Sequence, residues 1–137
     1  MSEYIPDPMR KAVAERAAYR CEYCRRPEAD SFIKFHIDHI ISLKHGGATA
    51  LDNLAFSCSI CNGNKGSNVG TVLRNKEVFV RLFHPRKHNW FDHFEVLEGV
   101  IYPKSEIAEA TIKVLELNHL NRILERLDLI AAGLFPK

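Results

Sequence analysis

The chain has 137 residues, enough for one domain with a small appendage. Its composition is that of a soluble globular protein: 46% hydrophobic, 26% charged, with no apolar run approaching the ~20 residues of a membrane span. The net charge of +2 permits nucleic-acid binding without demanding it, and no secretory signal pattern opens the chain, so a cytoplasmic location is expected.

Met1 to Ile5 reads as a loose lead. Asp7-Pro8 reads as a helix start, Asp as N-cap and Pro at the first helical position. From Met9 to Tyr19, Met9, Val13 and Ala17 form one stripe, with Arg10, Lys11, Glu15 and Arg16 largely off it. Cys21-Glu22-Tyr23-Cys24 is a tight knuckle, followed by a loop over residues 26–30. Phe32 to Ile41 alternates as a strand does. Leu43 to Asp52 is a turn-rich loop centred on Gly46-Gly47. Leu54 to Phe56 is a short second strand, and Ser59 to Lys65 starts a helix that ends near Gly66.

Beyond residue 70 the pattern is weaker. Val78 to Phe83 alternates as a strand, broken at His84-Pro85-Arg86. Trp90 to Val96 reads as another short strand with Trp90 as a core anchor, and Gly99 to Pro103 as a turn. Ser105 caps a helix bearing Ile107, Ala110, Thr111, Val114 and Leu117. Asn118 is the expected cap of a second helix, whose stripe of Leu120, Ile123, Leu124, Leu127 and Ile130 is either core or a helix-pairing face.

All four cysteines fall in two CxxC pairs, Cys21/Cys24 and Cys58/Cys61. A lone CxxC suits a redox pair or buried thiols. Two of them supply the four thiolates that a tetrahedral structural zinc site needs, closed to catalysis. His84, His88 and His93 fit no familiar ligand spacing and read as loop and DNA-facing or packing residues. Basic residues flank the cysteine pairs and continue downstream through Arg74, Lys76, Arg81, Arg86 and Lys87.

The run from His36 to Gly66 holds Asp38-His39-Ile40, Gly46-Gly47, Asn53-Leu54 and Cys58-x-x-Cys61-Asn62-x-x-Lys65-Gly66, with the first CxxC upstream. This order of motifs resembles the HNH endonuclease family over roughly residues 10 to 68. The last position of the name-giving triplet is Asn62 in place of His, an H-N-N version. The resemblance implies an α+β protein with a ββα-metal (His-Me finger) core at residues 1–70, stapled by the zinc site. A C-terminal helical extension of the kind carried by small stand-alone bacterial relatives would occupy residues 71–137, packed on that core.

It also implies hydrolysis of DNA phosphodiesters, with His39 as general base, Asn53 orienting the His39 ring or its loop, and Asp38 and Asn62 on a divalent cation such as Mg2+, Mn2+ or Ni2+. Lys65, His36 and Arg26 are candidates for DNA contact, and His45 is expected at the surface. The expected partner is duplex DNA read with little sequence preference, with no membrane partner. Alternatives are a non-catalytic zinc-finger DNA-binding module, or a nuclease that acts on RNA.

Overall fold

The computed structural model describes residues 4–74 and 77–135, so Lys76 and the first three residues of the expected N-terminal lead lie outside it. The chain divides into two compact units, Met1–Asn68 and Val69–Lys137. Among the described residues no helix is long and apolar enough to cross a membrane.

The first unit opens with helix α1, Asp7–Arg16. Its N-cap is Pro6, one residue before the expected cap, which places Asp7 in the first turn, where its charge suits the helix dipole. Ile5 is buried rather than loose, and its carbonyl accepts from Arg10 Nε. Val13, Ala14 and Ala17 form the buried stripe. Strand β1, His36–His39, pairs antiparallel with β2, Leu54–Ser57, and helix α2, Ser59–Lys65, follows at once.

The strand expected from Phe32 to Ile41 is therefore much shorter. Its partner offers only four residues before Cys58 turns the chain into α2, so residues 32–35 have no ladder to join. Ser31 instead ties its hydroxyl to the Ile33 N–H and C=O, and Phe32 and Ile33 are exposed.

Among its described residues the second unit holds two further hairpins and three helices. β3, Gly70–Leu73, pairs with β4, Val78–Arg81, and β5, Phe94–Leu97, pairs with β6, Val100–Pro103. The segment expected as one strand from Trp90 is split. Asn89 accepts from Phe91 N and caps a single helical turn, α3 (Trp90–His93), before β5 begins. The turn expected over Gly99–Pro103 is confined to Glu98-Gly99, both at positive φ as a two-residue hairpin requires, and Val100–Pro103 is a strand.

Helix α4, Glu106–Leu115, starts at Ser105, whose Oγ accepts from Ala108 N. Ala110 packs with Val80 and Leu82, with Leu73, Ile107 and Val114 around them. Thr111 accepts from Phe83 N and so ties the helix to the chain after β4. Trp90 is buried and stacks on Phe94.

Helix α5, Leu120–Ala131, forms as expected but buries a different face. Its cap is His119; Asn118 instead holds both the N–H and C=O of Ile101. Leu120, Leu124, Leu127 and Ile130 are exposed and Ile123 is half-buried, which excludes the first of the two expectations, core, while Arg122 and Arg126 are buried. The guanidinium donors explain the choice of face. Arg122 donates to Leu115 O, and Arg126 to Gly99 O and Leu117 O, so the arginines close the end of α4 and the hairpin turn.

His84 is buried, and its Nδ1 accepts from Arg86 N. Burial, then the charges of Lys87, Arg81 and His88, push it down to about 4. An unfolded histidine titrates near ~6.5. The unfolded chain thus binds a proton that the fold refuses, and stability falls as pH drops from about 6.5 to about 4. Urea midpoints at pH 7, 5.5 and 4.5 should show this loss. The slope should flatten in His84→Asn, which keeps an acceptor but does not titrate.

Candidate active site and cysteine cluster

The two knuckles are built by backbone bonds. In the first, Arg25 N donates to Cys21 O, Cys21 N to Arg26 O, and Cys24 N to Cys21 Sγ at 3.4 Å. In the second, Cys58 is the N-cap of α2, and its sulfur accepts from Cys61 N at 3.4 Å. Glu22, inside the first knuckle, pins it to β2: its N–H donates to Phe56 O, and its Oε1 accepts from Phe56 N.

All four cysteines are buried and none is in a disulfide. Their sulfurs lie within 4.8 Å of one another, the one group of its kind among the described residues that is placed to hold a metal ion. Cys24 Sγ and Cys58 Sγ stand 3.8 Å apart, and two sulfurs on a tetrahedral zinc at ~2.3 Å would also stand about 3.8 Å apart. Burial pushes the Cys21 and Cys61 thiols well up from their ordinary range, whereas the hydrogen bond with Cys21 draws Cys58 down. Four ionised sulfurs this close need a cation among them.

Beside the cluster, β1, the turn after it and α2 form an open cavity of about 290 Å³ bordered by Asp38, His39, Asn62, Ser42, Lys44 and Gly66, among others. Three of the residues singled out in the sequence, Asp38, His39 and Asn62, therefore share one cavity. The His39 ring is half-buried, with Nε2 2.9 Å from Thr49 Oγ1. Asp38 is only 6% exposed. Tyr23 Oη donates to its Oδ2 at 2.8 Å, and Lys65 Nζ lies 3.1 Å from Oδ2 and 3.4 Å from Oδ1. Burial raises the Asp38 carboxyl above its ordinary range, opposed by the Lys65 charge and the Tyr23 hydroxyl. Burial and the Asp38 charge push the Tyr23 phenol well up, so it stays a donor.

Lys65 was a candidate for DNA contact on sequence, but it is turned inward. It is 1% exposed and donates to His39 O as well as pairing with Asp38. A polar position late in a short helix gave no sign that it faces a buried carboxylate.

Asn53 acts on the loop and does not touch the His39 ring. Its Oδ1 accepts from Ile41 N, and its Nδ2 donates to Ile41 O and Ala48 O. The loop passes so close here that a Cβ on Gly47 would fall on the Ile41 carbonyl and 2.8 Å from Asn53 Nδ2. This explains the second glycine of the pair, while Gly46 sits at φ +87° in the left-handed region. His36 is exposed at the far end of β1, opposite Ser57, and does not border the cavity; His45 is exposed on a 3-10 turn. Arg26 is half-buried and engages Asp30 through its carbonyl and carboxylate.

Sequence reasoning missed Thr49, Tyr23 and Lys44. A loop threonine and a tyrosine between two cysteines carry no signature; the one signal for Lys44 is its place five residues after His39, in the turn that rims the cavity.

The histidines of the second unit do not form a metal site. His84 Nδ1 and His88 Nδ1 both accept backbone N–H bonds, and His93 Nδ1 is 2.7 Å from Ser105 Oγ. With Nδ1 an acceptor, the proton of neutral His84 and His88 sits on Nε2, where a metal would need a lone pair.

Residues 21–68 match the family model for HNH endonuclease. Over that stretch the chain is similar to HNH endonuclease domains. The match begins at Cys21 of the first knuckle and ends just past α2, so it takes in both cysteine pairs, β1, β2 and the cavity. HNH domains are nuclease domains, so the match indicates nuclease activity as the general class. No curated protein and no solved structure matches the chain.

If Asn53 and Gly47 brace the loop, Asn53→Ala should cost about 1–3 kcal/mol of stability, because it strands the Ile41 N–H and C=O. Gly47→Ala should cost at least as much, and exposed His45→Ala should stay within about 0.5 kcal/mol. Denaturant unfolding of the three variants checks the ranking.

Proposed function

We propose that the protein is a metal-dependent endonuclease that hydrolyses phosphodiester bonds in duplex DNA with little sequence preference. The observation that carries this reading is the single cavity that gathers Asp38, His39 and Asn62 inside the HNH stretch. The four cysteines hold a structural zinc, which their sulfur set and spacing suit. Reduced, buried thiols also suit a reducing compartment such as the cytoplasm.

The donors at the cavity fit a hard divalent cation. Asp38 keeps lone pairs beyond those taken by Tyr23 and Lys65, and Asn62 adds an amide oxygen at the same cavity. Such an ion, when bound, supplies charge neutralisation for the attacked phosphate and the leaving oxygen.

His39 is the general base. The role requires the tautomer in which Nε2–H donates to the Thr49 hydroxyl, which leaves the Nδ1 lone pair to take the proton of the attacking water. Thr49 orients the ring, and Asn53 holds the loop that carries Thr49. Lys44, exposed at the rim, meets the phosphate backbone. Lys65 serves from inside, tying α2 to β1 through Asp38 and His39 O.

Supercoiled plasmid, single-stranded DNA and RNA, each incubated with Mg2+, Mn2+ or Ni2+, test the reading. Plasmid should be nicked or cut only with added metal. His39→Ala should lower the rate by about 10²–10⁴ while the protein keeps its fold and its zinc. Cleavage by His39→Ala at the parental rate would overturn the assignment of the base. Binding without cleavage by the parent protein would favour a DNA-binding module, and cleavage of RNA alone would move the substrate.

A further inference from the structure

Tyr23 occupies an unusual position. It lies between Cys21 and Cys24, so its backbone is fixed by the sulfur cluster, yet its hydroxyl donates at 2.8 Å to Oδ2 of Asp38, which borders the cavity. Its side chain is fully buried, so the ring has no freedom to follow the carboxylate if the carboxylate moves. On the other side, Lys65 Nζ reaches both Asp38 oxygens from the last turn of α2, the helix that Cys58 and Cys61 begin. The two groups that hold Asp38 are thus each one short step from a cysteine pair.

Resting on the nuclease reading above, we propose that Tyr23 is a positioning residue for the cleavage site: from inside the cysteine knuckle it fixes the rotation of the Asp38 carboxylate, so that the four-cysteine cluster sets the affinity of the cavity for its divalent cation. A carboxylate on two rotatable bonds would otherwise sample orientations in which neither oxygen faces the cavity. Tyr23 and Lys65 remove that freedom before the ion arrives, which lowers the ordering cost of binding. Glu22 makes the natural contrast. It sits in the same knuckle, equally tied to the strand pair, but touches Phe56 rather than Asp38.

The experiment compares zinc-loaded wild type, Tyr23→Phe, Glu22→Gln and Asp38→Asn, with zinc content and thermal unfolding measured for each. Mn2+ binding is read by electron paramagnetic resonance without DNA, and the Mn2+ concentration for half-maximal plasmid cleavage is read separately. Tyr23→Phe should keep zinc, weaken Mn2+ binding about 10- to 100-fold, the usual effect of losing a partner behind a metal ligand, and raise the half-maximal Mn2+ concentration in step. Glu22→Gln should lose stability without moving either Mn2+ value.

Unchanged Mn2+ binding in Tyr23→Phe, with Asp38→Asn impaired, overturns the proposal and leaves the nuclease reading standing. Unchanged binding in Asp38→Asn overturns the metal assignment itself. Equal shifts in Tyr23→Phe and Glu22→Gln would mean general loosening of the knuckle and also count against the proposal. Should Tyr23→Phe lose zinc, wild-type protein carrying fluorotyrosine decides. Mg2+ should move the fluorine resonance of Tyr23, and a resonance that stays put at cleavage-saturating Mg2+ overturns the proposal.

Discussion

Four sulfurs converge on one point, and the first unit depends on that convergence. Three separate pieces of backbone meet there: the knuckle after α1, the end of β2, and the first turn of α2. The β1–β2 pair is only four residues long on each side, too short to hold itself. The knuckle contributes what the hairpin lacks, since Glu22 makes two bonds with the Phe56 backbone, one through its own N–H and one through its carboxylate, and Tyr23 reaches through to β1. Cys58 is at once a cluster member and the N-cap of α2, so the same residue sets where the helix starts and where it points. A metal at the cluster would add its binding free energy directly to the stability of this small core.

The cavity inherits its geometry from this junction. Asp38 and His39 arrive on β1 and Asn62 on α2, and the angle between those elements decides whether they share a space. The buried Lys65–Asp38 pair is a poor source of net stability, because both charges give up water. Its value lies in specificity: Lys65 also binds His39 O, so the pair fixes the register of α2 against β1. Breaking either partner would leave an uncompensated charge at the floor of the proposed active site.

Much of this was legible in the residues, because the site is built from local patterns. The CxxC pairs, the Asp-His step, the glycine pair and the CNxxKG run lie within a short stretch, and α2 ends at Gly66 as its composition implies. The elements that failed were those decided by partners distant in sequence. The strand at Phe32–Ile41 was cut short by the length of β2. The leucine stripe on α5 faces solvent because two arginines serve carbonyls at Leu115, Leu117 and Gly99. Lys65 looked like a surface cation until the burial of Asp38 gave it a partner, and nothing local distinguishes Tyr23 from any tyrosine beside a cysteine. A periodic pattern reports which residues share a face; which face is covered depends on what the rest of the chain brings to it.

The central claim is that the four cysteines hold one metal ion that organises the core of the first unit. X-ray absorption at the zinc edge, on protein purified without chelator and with its metal content measured, tests it most directly. The account predicts one zinc per chain, bound by four sulfurs at about 2.3 Å. A chain that folds with no tightly held metal, or a zinc with nitrogen or oxygen among its ligands, would contradict it.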